Sequence, residues 1–143
     1  MEYSKQICTK IISTESVWEQ LRSLLARLKN HGFSEVEILY GFAWGNEIYP
    51  DPKWEYDKLP IDQVEPRINE EEKNETGKLA DDDFYIQLSE IPLEIQLCHE
   101  SDLHLWFEDK SPLVEEIFSE WESRGFEPTE YIKENEKWIE PEN

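Results

Sequence analysis

Basic residues are scarce in this chain: 14 Lys and Arg stand against 34 Asp and Glu, a formal net charge of −20. Small soluble domains usually carry a net charge of magnitude about 2–8. A field of this size and sign repels nucleic acid and anionic membrane and attracts cations and basic proteins. Direct nucleic-acid binding and membrane association are therefore not expected. Glycine is sparse too, with five in 143 residues, and there is no Gly-rich phosphate loop, nucleophile elbow or zinc-protease helix motif. Two cysteines, Cys8 and Cys98, are too few for a disulfide framework. Two reduced thiols are the simpler expectation, with one Cys8–Cys98 bridge as the alternative. No stretch approaches the roughly 18 apolar residues of a membrane-spanning helix. Residues Met1–Lys5 lack the apolar segment and cleavage site of a signal peptide. The expectation is a cytoplasmic, soluble chain, and no cofactor is indicated.

Aromatics, by contrast, are plentiful: six Trp, six Tyr and six Phe in a chain only 38% hydrophobic. Disordered acidic chains are poor in such residues, so the sequence reads as folded. Its length suits a single domain over residues 1–143, with a core large enough to need neither disulfide nor metal. The charge is uneven. Residues 1–33 carry three acids and five bases, net +2, and the remainder carries −22.

Ile7, Cys8, Thr9, Ile11 and Ile12 suit a first strand within Lys5–Ser13. Val17, Leu21, Leu24, Leu25 and Leu28 then form one face of a helix over about Glu15–His31, with Ser13, Thr14 and Ser16 as candidate N-caps and Gly32 as its stop. Alternation from Glu35 to Trp44 puts Val36, Ile38, Tyr40, Phe42 and Trp44 on one face of a second strand. A loop follows to Pro60, and Ile61–Asn69 could hold a short helix weakened by Pro66. Glu70–Asp83 is so acidic and apolar-poor that it reads as a mobile linker. Three strands come next, Phe84–Leu88, Leu93–Cys98 and Leu103–Phe107. Shared faces set the register of the last two as Leu97 opposite Leu103, Ile95 opposite Leu105, Gln96 opposite His104 and Glu94 opposite Trp106. Ser111-Pro112 starts a second helix with Leu113, Val114, Ile117, Phe118 and Trp121 inward, and Gly125-Phe126 ends it. The expected fold is α+β: a mostly antiparallel five-stranded sheet with two main helices on one face, in β-α-β-β-β-β-α order. A loop and acidic linker occupy about 46–83. A frayed tail at about 129–143 could form a helical turn or two.

Two groups of residues could carry function. Trp44, Glu47, Tyr49, Trp54, Glu55, Tyr56 and Asp57 mix rings with carboxylates in and beside the long loop. Such a mixture suits Lys or Arg through cation–π and ionic contacts, although rings in a long loop can equally tether it to the core. At the hairpin tip, His99, Asp102 and His104 are candidate metal ligands beside Cys98, but their spacing matches no structural zinc pattern. A cysteine nucleophile is disfavoured, because a thiolate needs an electropositive setting. The leading expectation is a non-enzymatic acidic module, of inhibitor or immunity type or a nucleic-acid mimic, that docks a basic protein. The alternative is a metal-binding protein or metal-dependent enzyme built on the Cys98–His104 hairpin.

Overall fold

Twelve regular elements arise from the two periodicities of the sequence. They are β1 (Lys5–Cys8), α1 (Thr14–Asn30), β2 (Glu35–Tyr40), α2 (Phe42–Ile48), β3 (Asp57–Pro60), α3 (Val64–Lys73, entered through a 3-10 turn at Ile61–Gln63), β4 (Phe84–Leu88), β5 (Leu93–Leu97), β6 (Leu103–Phe107), α4 (Pro112–Ser123), β7 (Thr129–Glu134) and β8 (Lys137–Ile139). The computed structural model describes residues 3–49 and 54–141. Among these residues no helix is long and apolar enough to cross a membrane.

All eight strands join one antiparallel sheet in the order β3-β2-β4-β5-β6-β1-β7-β8. The fold is α+β, as the sequence indicates, but the sheet has eight strands and not five, with four helices among the described residues. The β5–β6 register is the one that shared faces dictate, with Leu97 opposite Leu103 and Glu94 opposite Trp106. Inward-facing Ile7, Ile38, Ile86, Ile95 and Leu105 meet Leu21, Leu28, Ile68, Ile117 and Trp121 from the helices in one apolar cluster. Helix α1 lies between α4 and α3 on that face. Arg27 bridges it to Glu116 and Glu120 of α4, and Arg22 and Lys29 pair with Glu65 and Asp62 on the α3 side.

Local sequence accounts for the ends of the two long helices. The Ser13 and Ser111 hydroxyls accept from the Ser16 and Val114 N–H groups as N-caps. Gly32 and Gly125 take left-handed φ values of 92° and 76°. Phe33 and Phe126 then donate back to the Leu28 and Trp121 carbonyls, closing a Schellman motif at each end.

Four expectations are corrected. The second strand stops at Tyr40, and α2 follows it. The Gly41 N–H donates to the Asp83 carbonyl at 2.7 Å, so close an approach that a Cβ at Gly41 would lie 2.5 Å from Asp83 Cβ. The chain turns there, and Trp44 enters the core with no exposure, its Nε1 donating to the same carbonyl. Second, the acidic run from Glu70 is ordered. Pro66 sits in the first turn of α3, where its missing N–H costs little. Leu79 and Ala80 are buried, and carboxylates accept from nearby backbone, Glu72 from the Leu79 N–H and Asp82 from the Lys78 N–H. Glu72 and Asp82 are thus structural acceptors, whereas Glu70, Glu75 and Asp81 stay exposed. Third, the tail holds the β7–β8 hairpin through residue 139. Asn135 and Glu136 turn it with φ values of 49° and 63°, the pattern of a type I′ turn. Fourth, part of the expected loop before Pro60 is edge strand β3; residues 50–53 of it lie outside the described residues.

Burial separates the tryptophans. Trp44→Ala and Trp121→Ala should each cost about 3–5 kcal/mol, as buried large-to-small changes do. Trp54, 38% exposed, should cost about 1 kcal/mol. Urea unfolding of the three variants measures the difference. Equal losses at all three positions would contradict the assigned burial.

Candidate functional site

The sheet has one face under the helices and one open face. Strand alternation and register put Gln6 and Cys8 (β1), Tyr85 (β4), Glu94 and Gln96 (β5), His104 and Trp106 (β6), Lys133 (β7) and Trp138 (β8) on the open face. Trp106 and Trp138 meet edge to face with centroids 5.4 Å apart, although β1 and β7 separate their strands. The β7–β8 end of the sheet therefore curls over the open face. A groove of about 350 Å³ results, lined by Tyr3, Tyr85, Glu94, Gln96, Trp106, Lys133 and Trp138. His104 stacks beside Trp106, with ring centroids 6.0 Å apart and planes 12° from parallel.

Glu94 is the carboxylate of this groove. It accepts a hydrogen bond from the Tyr56 hydroxyl, so the segment ahead of β3 reaches across the open face. Burial raises the Glu94 carboxyl above its ordinary range, against the Tyr56 hydrogen bond, which lowers it. Burial likewise pushes the Tyr3 and Tyr85 hydroxyls up to about 12, with the negative field of Glu94 adding to both. These phenols stay neutral and serve as rings and hydrogen-bonding groups.

The residues that the sequence offered for docking do not form one surface. Trp44 belongs to the core and is closed to a partner. Tyr49 is half-buried, its hydroxyl accepting from the Tyr40 N–H at 2.8 Å, and it lies 5.5 Å from Trp54 between ring centroids. The Trp54 ring covers Gly45, where a Cβ would come within 2.5 Å of it. These two rings therefore tether the loop to α2. Glu47, Glu55 and Asp57 are exposed. Only Tyr56 reaches the open-face groove. The groove itself was missed, although the outward pairing of Glu94 with Trp106 was a signal for part of it.

A second constellation surrounds the β5–β6 turn. Donor atoms of Cys98, Asp102 and His104 lie within 4.8 Å of one another, and so do those of Asp83, Cys98 and His99. His104 Nε2 is 2.9 Å from Asp102 Oδ2, and its Nδ1 is 3.1 Å from Cys8 Sγ and 3.3 Å from Gln6 Oε1. Cys8, His104 and Asp102 thus form a connected row. Burial pushes the Cys8 thiol up to about 12, and the Asp102 charge adds to the effect, so the setting opposes a thiolate at Cys8. Both cysteines are free thiols.

Asp83 fastens this turn to α2. Its carboxylate accepts from the His99 N–H at 2.8 Å, from Gln96 Nε2 at 3.2 Å and from the His99 ring at 3.1 Å. Burial raises the Asp83 carboxyl, but the hydrogen bonds from His99 and Gln96 outweigh burial and hold it below the usual range. The hydrogen bond and charge of Asp83 raise His99 in turn.

Comparison with known proteins returns no match, whether against protein-family models, curated proteins or solved structures.

The Asp83–His99 pair has a defined pH window. Its stabilisation is complete above the ordinary Asp value and below the ordinary His value. It is lost as pH falls through the depressed Asp83 value or rises through the raised His99 value. An NMR titration should place the His99 midpoint above about 6.5, and Asp83→Asn should lower it. A midpoint unmoved by that substitution would mean that the pair does not form.

Proposed function

We propose that this chain is a non-enzymatic acidic protein-binding module, of inhibitor or immunity type, that docks a basic protein on the open face of its sheet. The observation that carries this reading is Glu94, a partly buried carboxylate set among the rings of Tyr3, Tyr56, Tyr85, Trp106 and Trp138. Ring faces attract cations, more strongly once desolvated, and a carboxylate among them supplies the counter-charge. At about 350 Å³ the groove is at the low end for a small-ligand pocket. It suits an Arg or Lys side chain projecting from a larger surface. The net charge of −20 supports the same partner class by steering basic proteins toward the molecule and opposing nucleic acid.

Rings and charges have different kinetic roles at such an interface. An anchoring ring mainly sets the dissociation rate, whereas rim charges set association and its salt dependence. With the chain immobilised, captured proteins should be basic, and an arginine-containing peptide should shift the NMR signals of Tyr85, Glu94 and Trp106. Trp106→Ala should speed dissociation about tenfold with little change in salt dependence, while Glu55→Lys should slow association. Because Glu94 is raised, binding should begin to weaken on acidification above the range where ordinary glutamates titrate. A glutamate peptide that perturbs the groove as strongly as the arginine peptide, or partners that are neutral or acidic, would overturn the reading.

A further inference from the structure

We propose that the β5–β6 turn is a zinc site, with Cys98, Asp102 and His104 as ligands and His99 in the fourth position. With Zn–S near about 2.3 Å and Zn–N or Zn–O near about 2.0–2.2 Å, tetrahedral donors sit roughly 3.3–3.8 Å apart. The Cys98, Asp102 and His104 donors already fall within 4.8 Å of one another, and His99 Nδ1 is 3.7 Å from Cys98 Sγ. The turn that holds them is closed by its own backbone. The Cys98 N–H donates to the Asp102 carbonyl at 2.9 Å, and the Ser101 N–H donates to the Cys98 carbonyl at 3.0 Å. Residues 98, 102 and 104 share strand parity, so all three side chains leave on the open face. His99 is exposed; its ring is paired with Asp83 at 3.1 Å in this structure and would have to leave that carboxylate to reach the metal.

Two further observations point to a cation. Asp102 Oδ1 is buried without a hydrogen-bond partner, while its sister oxygen pairs with His104. A buried carboxylate oxygen left unpaired is costly, and a bound cation would satisfy it. The His104 ring is also oriented as a ligand. Its Nε2 faces Asp102 Oδ2 at 2.9 Å, and its Nδ1 lies 3.1 Å from Cys8 Sγ and 3.3 Å from Gln6 Oε1. A cation entering between His104 and Asp102 would take Nε2 once the ring proton moves to Nδ1 and donates to Gln6. Such an outer partner on the far nitrogen is usual for ligating histidines.

The surroundings select a ligand role over a nucleophilic one. Cys98 is buried with the Asp83 carboxylate in one donor group and the Asp102 carboxylate in the other. Negative groups that oppose a bare thiolate attract a dication, which displaces the thiol proton. Binding therefore forms the Zn–Sγ bond and releases the Cys98 proton to solvent, with no change of oxidation state. Thiolate and imidazole with a single carboxylate favour zinc over calcium or magnesium, which take oxygen donors.

The test is a zinc titration of reduced, untagged, chelator-stripped protein against a chromophoric chelator, with cobalt as spectroscopic probe. The expected result is one zinc per chain held at sub-micromolar affinity, about one proton released, and a thiolate-to-cobalt charge-transfer band. Because Trp106 stacks beside His104, tryptophan fluorescence should change at the same stoichiometry. Cys98→Ser and His104→Gln should each weaken binding about 100-fold or more, and Gln6→Ala about 10–100-fold. Exposed Asp81→Asn should leave it unchanged. Zinc should raise the melting temperature of the parent chain and not that of Cys98→Ser, with the circular dichroism of each variant confirming that it is folded. No zinc retained against the chelator would overturn the proposal. So would loose binding that salt abolishes, or equal affinity in folded Cys98→Ser.

Discussion

The rest of the structure depends on where β1 is inserted. Lys5–Cys8 is hydrogen-bonded along both edges, to β6 on one side and β7 on the other, so an N-terminal segment completes a sheet whose neighbouring strands come from the last third of the chain. Without β1, β6 would be an open edge and the β7–β8 hairpin would have nothing to pair with. With it, the sheet extends far enough to curl, and Trp138 returns over Trp106. The same insertion places Gln6 and Cys8 beside His104. Groove and turn thus share one topological cause.

Carboxylates hold this molecule together as well as charging it. Asp83 ties α2 to the β5–β6 turn through both its backbone and its side chain. Glu116 and Glu120 fasten α4 to α1 through Arg27, and Glu72 and Asp82 accept from the backbone of the segment after α3. Each sets an acid against a specific donor. The mildly basic β1–α1 unit supplies many of the cationic partners, including Arg22, Arg27 and Lys29. What remains exposed still leaves the strong negative field that the docking proposal relies on.

Local signals were legible in the sequence. The caps at Ser13 and Ser111, the Gly-Phe stops and the alternation through β4–β6 involve groups only a few residues apart, and short-range sterics and hydrogen bonding decide them. Trp44 was misplaced for a physical reason. Apolar residues at Tyr40, Trp44 and Ile48 fit the spacing of a helix as well as an extension of the strand, and the choice was made by contact with Asp83, 39 residues away. The acidic run looked mobile because composition cannot show that its carboxylates have backbone donors. The β7–β8 hairpin was hidden because its turn uses Asn135-Glu136 and lacks the usual glycine.

By itself the sequence determined the α+β class, the two long helices and their ends, the register of the central hairpin and the sign of the surface field. These follow from periodicity, capping and charge, which act locally or additively. Tertiary structure alone decided the eight-stranded order, the burial of Trp44 and the groove around Glu94. It also decided the approach of Gln6 and Cys8 to His104. Each of these joins residues distant in sequence, and one-dimensional spacing carries no information about which strand edges pair or which way a sheet curls.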